Sequence, residues 1–81
     1  MLGEIDLVVL NPPRKGVQPA AMEAILEVNA SNLIYVSCNP TSLARDLAKL
    51  VDHRYRVRRL QPLDMFPQTE QVETVVLLTR S

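Results

Sequence analysis

A lone cysteine, an asparagine ahead of two prolines, and a glutamate early in an apolar segment are the residues of this sequence best suited to chemistry. Cys38 is the only thiol and stands in Tyr35-Val36-Ser37-Cys38-Asn39-Pro40, where an apolar run breaks into turn residues. A thiolate is a strong nucleophile, and a place just ahead of a helix N-terminus favours thiolate over thiol. On these features alone a plainer reading stands beside it, because a cysteine at a strand end is commonly a small buried apolar residue. Asn11-Pro12-Pro13-Arg14 offers a polar side chain and a cation beside a rigid stop, a fair wall for a small-molecule site or simply a strand terminator. Glu73 lies early in an otherwise apolar strand, where a carboxylate can have a raised pKa suited to base work; the alternative is an exposed strand-start residue. Arg54, Arg56, Arg58 and Arg59 could meet phosphates or form a solvated edge that resists aggregation. His53 has no metal partners and suits a helix-end cap, so no metal site is expected.

The elements that must position these residues follow from periodicity and punctuation. Residues 5–10 (Ile-Asp-Leu-Val-Val-Leu) are nearly continuous in apolar β-formers, a pattern that predicts a strand covered on both faces. Asn11-Pro12-Pro13 ends it, and Arg14-Lys15-Gly16 continues as a loop. A helix starts near Pro19, with Ala21, Met22, Ile25, Leu26 and Val28 as its apolar stripe. Residues 33–37 form a second buried strand with Cys38 at its C-terminal end. Asn39 reads as an N-cap with Pro40 at the first helical position, opening a helix to about Asp52 that buries Leu43, Ala44, Leu47, Ala48, Leu50 and Val51. Residues 55–60 alternate, with Arg56 and Arg58 on one face and Val57 on the other, as an edge strand would. Residues 62–71 read as a loop and residues 72–79 as a central strand. Strand-helix-strand alternation implies a parallel pair, so the class is α/β, with the last two strands antiparallel across a wide hairpin. Asn11 and Cys38 then fall at adjacent strand ends, on the carboxyl edge where open α/β sheets bind ligands.

Composition narrows the setting. A chain of 81 residues is at most one small domain, and 47% hydrophobic content permits a core. Nine basic and nine acidic residues give zero net charge, so any nucleic-acid signal must be local. No apolar run approaches the roughly 20 residues needed to span a bilayer. Met1-Leu2-Gly3-Glu4 lacks the basic and apolar regions of a secretory signal, and one cysteine cannot form an internal disulfide, so a cytoplasmic protein is expected. The only glycines, Gly3 and Gly16, are not arranged as a phosphate-cradling loop.

Taken together, Leu10-Asn11-Pro12-Pro13-Arg14-Lys15-Gly16, then Tyr35-Val36-Ser37-Cys38-Asn39-Pro40 followed by Leu43-Ala44-Arg45-Asp46, then Asp64-Met65-Phe66-Pro67-Gln68-Thr69 with Val72-Glu73-Thr74-Val75, closely resemble in order and spacing the C-terminal part of the RNA uracil-C5 methyltransferase family. The resemblance covers essentially the whole chain and implies dependence on S-adenosylmethionine and an RNA substrate, tRNA or rRNA. It implies that Cys38 is the nucleophile for C6 of uracil and Glu73 the general base. It also implies that Asn11 lies between cofactor and target base, with Pro12 and Arg14 beside the substrate. The related cytosine-C5 enzymes carry their nucleophile in the loop after the earlier strand, where this chain has Asn11-Pro12-Pro13-Arg14 and no cysteine, which favours uracil.

The sequence departs from the family where Asn11 replaces the usual aspartate and where Gln71 stands in place of a frequent histidine. The family's glycine-rich loop and ribose-holding acid belong to earlier strands. Residues 1–81 are therefore expected to be a partial catalytic domain, the C-terminal half of a Rossmann-like sheet of about four strands in spatial order 1-2-4-3 with two main helices. Such a half-domain is expected to be inactive alone, and the open edge of the strand at residues 5–10 is a template for a homodimer. Two other readings are carried: a non-enzymatic interaction module reusing the half-fold, and an amino-group methyltransferase suggested by Asn11-Pro12-Pro13. The latter normally continues with an aromatic residue to stack the base, where this chain has Arg14.

Overall fold

The computed structural model describes residues 6–63 and 73–80. Four strands and two helices follow one another as β1 (Leu7–Leu10), α1 (Pro19–Val28), β2 (Asn32–Ser37), α2 (Pro40–Asp52), β3 (Tyr55–Leu63) and β4 (Glu73–Arg80). The sheet order is β1-β2-β4-β3, with β1 parallel to β2 and β4 antiparallel to both its neighbours. β3 therefore runs parallel to β2 with β4 inserted between them. The expected α/β half-sheet and its 1-2-4-3 order are what the chain forms.

Topology puts both helices on one face. Each helix joins two parallel strands, and each crossover steps across the sheet in the same direction. Crossovers of one hand stepping the same way leave their helices on the same side. Alternation along the strands identifies that side. Leu33, Tyr35, Val76 and Leu78 point to it, all fully buried, and they join Met22 of α1 with Leu43 and Leu50 of α2 in one cluster. Val8 and Leu10 of β1 pack against this cluster.

The opposite face carries no helix among the described residues, and this corrects the expectation of a first strand covered on both sides. Leu7 and Val9 are 49% and 61% exposed. Ile34, Val36, Val75 and Leu77 share their face and are only half-buried. The apolar run in β1 has the composition of a doubly covered strand, but half of it faces open space.

Several local expectations shift for physical reasons. Ala21 and Val28 of α1 are exposed, so its buried stripe narrows to Met22 with Ile25 and Leu26 partly covered. In α2 the buried positions are Ser42, Leu43, Asp46 and Leu50, while Ala44, Ala48 and Val51 face outward. The helix is rotated toward the loop after β1, which it holds with polar side chains. β3 continues past Leu60 through Gln61 and on to Pro62 and Leu63, which the sequence suggests as loop. A proline is tolerated there because β3 is an edge strand with one free row of backbone groups. A bulge between Val57 and Arg59 breaks the simple alternation, so Arg56 and Arg59, opposite Thr79 and Leu77, share a face. The motif Asp64-Met65-Phe66-Pro67-Gln68-Thr69, Gln71, Val72 and Ile5 lie outside the described residues.

Candidate functional site

The C-terminal ends of β1, β2 and β3 and the start of β4 share one edge of the sheet, and the candidate residues gather there. The loop after β2 is built tightly. Buried Ser37 accepts a hydrogen bond from the Asn39 N–H (3.1 Å) and its hydroxyl donates to the Asn39 carbonyl (3.0 Å), folding the chain over Cys38. Asn39 has extended backbone angles and caps α2, its Oδ1 accepting from the Thr41 N–H at 3.0 Å, with Pro40 at the first helical position as expected. Cys38 thus sits half-buried between the strand end and the helix start, its thiol free of any disulfide.

The β2–β4 pairing ends beside it. Pairing runs from Asn32 opposite Thr79 to Ser37 opposite Thr74, with Cys38 the residue after Ser37 and Glu73 the residue before Thr74. Glu73 is exposed at the first position of β4, where it pairs with Leu63 of β3. Nucleophile and base candidates, thirty-five positions apart in the chain, both adjoin the last β2–β4 pair at this edge of the sheet.

The loop after β1 is pinned to the same helix. The Arg14 carbonyl accepts from Asn39 Nδ2 (2.9 Å) and from the Ser42 hydroxyl (2.8 Å), and the Lys15 carbonyl accepts from Arg45 Nη2. Asp46 completes the clamp. Fully buried, it accepts from the Val17 N–H at 2.8 Å and from the Tyr35 hydroxyl, while Arg45 Nε approaches its other oxygen at 3.4 Å. Burial pushes the Tyr35 phenol well above its ordinary pKa, and the hydrogen bond to Asp46 adds to the shift. Gly16 makes the approach possible. Its φ is +87°, and an added Cβ would lie 2.5 Å from Arg45 Nη2 and 2.7 Å from Asp46 Oδ2.

The other sequence candidates occupy this edge with different surroundings. Asn11 is exposed one residue past β1, and Pro12 is half-buried; both line a hollow of about 280 Å³ with Pro13, Gly16 and Ala21. Arg14 lies across the loop from them, on a separate groove beside α2. Among the described residues no group of His, Cys, Asp and Glu could hold a metal ion. Sequence reasoning missed the clamp of Asn39, Ser42, Arg45 and Asp46. A signal was available: these positions recur at helical spacing along one face of α2, and an aspartate at an inward phase needs donors.

The sequence model of the tRNA (Uracil-5-)-methyltransferase family matches residues 3–81. An RNA methyltransferase of uncharacterised specificity from Listeria monocytogenes serotype 4b (strain F2365) is 56% identical over 73 residues, covering 90% of this chain and 16% of that relative. A similar relative from Thermotoga maritima is 45% identical over 96% of this chain and 18% of its own length. The crystal structure of Pyrococcus abyssi tRNA (uracil-54, C5)-methyltransferase in complex with S-adenosyl-L-homocysteine superimposes with a TM-score of 0.77 and 39% identity, over 91% of this chain and 18% of that one. The chain therefore spans less than a fifth of the length of the relatives it matches.

Proposed function

Because the chain belongs to the tRNA (uracil-5-)-methyltransferase family, we propose that it is the C-terminal part of the catalytic domain of an RNA uracil-C5 methyltransferase and carries that enzyme's nucleophile and general base. The observation that supports this reading is that the last β2–β4 pair, Ser37 with Thr74, is flanked by Cys38 and Glu73 at the carboxyl edge of the sheet. In the proposed reaction the Cys38 thiolate adds to C6 of a uracil in RNA. The S–C6 bond forms, and the C5–C6 π pair moves to C5, making that carbon nucleophilic toward a methyl donor. S-adenosylmethionine supplies the methyl group when bound. The Glu73 carboxylate then takes the C5 proton, the freed pair restores the C5–C6 double bond, and the C6–S bond breaks to return the thiolate. The clamp from α2 fixes the loop that holds Asn11, Pro12 and Arg14 relative to Cys38, and such positioning is worth a large share of a barrier.

The described residues fit the methyl donor on one side only. Asn11 closes one wall at the end of β1, but its hollow has no acidic side chain for a ribose and no glycine-rich turn. The rest of that site belongs to chain beyond these residues, so the 81-residue chain alone is inactive in this reading. The setting proposed is the cytoplasm, and pairing of two copies through the free edge of β1 is proposed for the isolated chain.

RNA containing 5-fluorouridine tests the assignment on the chain joined to the remainder of its catalytic domain. Fluorine at C5 cannot leave as a proton, so a covalent protein–RNA adduct accumulates and is read by mass. Cys38→Ala abolishes it; an adduct that persists in that variant overturns the nucleophile assignment. With ordinary uridine, Glu73→Gln accumulates the methylated adduct, because the C5 proton stays in place.

A further inference from the structure

The groove between the loop after β1 and α2 has a chemistry the reaction above does not use. It encloses about 510 Å³, and its walls include Arg14, Lys15, Arg45 and Lys49 together with Asn39, Thr41 and Ser42, with no aspartate or glutamate among the lining residues. In a chain of nine basic and nine acidic residues, four cations without an acid are a local departure from balance.

Two separate segments contribute these cations, and the fold brings them together deliberately. Arg45 donates to the Lys15 carbonyl, which fixes its guanidinium on the groove wall while 53% of the side chain stays exposed. Asp46, the nearest acid in sequence, is turned inward and fully buried on the Val17 N–H and the Tyr35 hydroxyl. Its second oxygen meets Arg45 Nε at 3.4 Å and offsets that one cation, while Arg14, Lys15 and Lys49 also line the groove. The groove begins at the N-terminal end of a thirteen-residue helix, where the helix dipole favours anions, and extends along it to Lys49 in the last turn. Finally, Asn39, the residue after Cys38, lines the groove, so the groove starts one residue from the thiol in the chain.

Resting on the reading of this chain as part of an RNA-modifying enzyme, we propose that the groove of Arg14, Lys15, Arg45 and Lys49 holds the phosphate backbone of single-stranded RNA beside the nucleotide presented to Cys38. A base that undergoes addition at C6 must leave its stack, and the phosphates flanking it offer a charged, sequence-independent handle on the strand. Contacts of this kind set affinity and register along the strand and read no sequence. The arginines of β3 are outside this site: Arg59 lines a hollow on the uncovered sheet face.

The test is fluorescence anisotropy of the 81-residue chain with fluorescein-labelled oligouridylate across a salt series. The slope of log affinity against log salt becomes shallower by about one unit in Lys15→Gln and again in Lys49→Gln, with no change in Arg56→Gln or Arg58→Gln. Lys15 and Lys49 are exposed, so these variants keep the fold. A methylphosphonate strand of the same bases, which lacks backbone charge, loses binding. Equal slopes in groove and β3 variants, undiminished binding of the methylphosphonate strand, or no binding of oligouridylate at low salt would each overturn the proposal. The 5-fluorouridine adduct separates this result from the methylation reading. Slopes that change while no Cys38 adduct forms leave the groove standing and remove the uracil chemistry. An adduct that forms with unchanged slopes does the reverse.

Discussion

The two faces of the sheet are built from the same kinds of residue and end in different environments. On the helix side, Leu33, Tyr35, Val76 and Leu78 are fully buried under α1 and α2. On the other side, Leu7 and Val9 stand about half open, with Ile34, Val36, Val75 and Leu77 shielded mainly by one another. Residue type therefore records what a position is suited to, and burial records what this length of chain supplies. The helix side holds this chain together. The open side carries core-type residues with no cover among the described residues, in a chain that spans less than a fifth of its relatives.

Substitutions can break this contrast or sharpen it. The largest effect belongs to Leu33→Ala, which removes a fully buried side chain from a central strand and costs about 2–5 kcal/mol in urea unfolding of the chain. A loss below about 1 kcal/mol would mean the helix side is no better packed than the open one. Asp46→Ala comes next. It leaves the Val17 N–H and the Tyr35 hydroxyl without their acceptor inside the protein, at about 2–3 kcal/mol, whereas Asp46→Asn keeps an oxygen and recovers part of that loss. Equal losses in the two variants would show that charge, rather than hydrogen bonding, holds the clamp.

Alkaline titration gives a smaller, pH-dependent effect. Burial raises the pKa of both Tyr35 and Tyr55, the latter donating to the Ala30 carbonyl at 2.7 Å. The folded state therefore holds these protons more tightly than the unfolded chain, whose tyrosines titrate near pH 10. Their contribution is complete below about pH 10 and is lost as pH rises through the folded values. Tyr55→Phe lowers stability at neutral pH by about 1 kcal/mol and makes the alkaline decline shallower. The smallest effect is Val9→Lys on the open face, within about 0.5 kcal/mol of the parent. It also lowers self-association in sedimentation, and a large destabilisation would show that the open face is packed after all.

Much of the molecule was legible because local chemistry agreed with the final packing. Pro19 and Asn39-Pro40 start helices where the sequence says they should, since a proline at the first turn loses no hydrogen bond. The resemblance supplied the inserted last strand, which no local pattern dictates. The meeting of the Cys38 end of β2 with the Glu73 end of β4 follows from that insertion. What stayed hidden depended on contacts between distant segments. α2 looked like a helix with an apolar stripe through Ala44, Ala48 and Val51. Its actual inward face runs through Ser42 and Asp46, because the loop at residues 14–17 needs donors and acceptors more than the core needs methyl groups. The bulge in β3 was equally invisible, because it is a feature of the pairing with β4.

The place of β4 also governs how this protein is made. During synthesis β2 and β3 emerge first, yet they never touch as neighbours; each waits with a bare row of amides for a strand not yet translated. Pairings between distant segments form slowly, and waiting edges invite wrong partners. Closure comes only when Glu73–Arg80 slides between them. That same event brings the Glu73 end of β4 to the Cys38 end of β2, so a half-made chain on the ribosome carries the thiol before the strand that begins at Glu73 is in place.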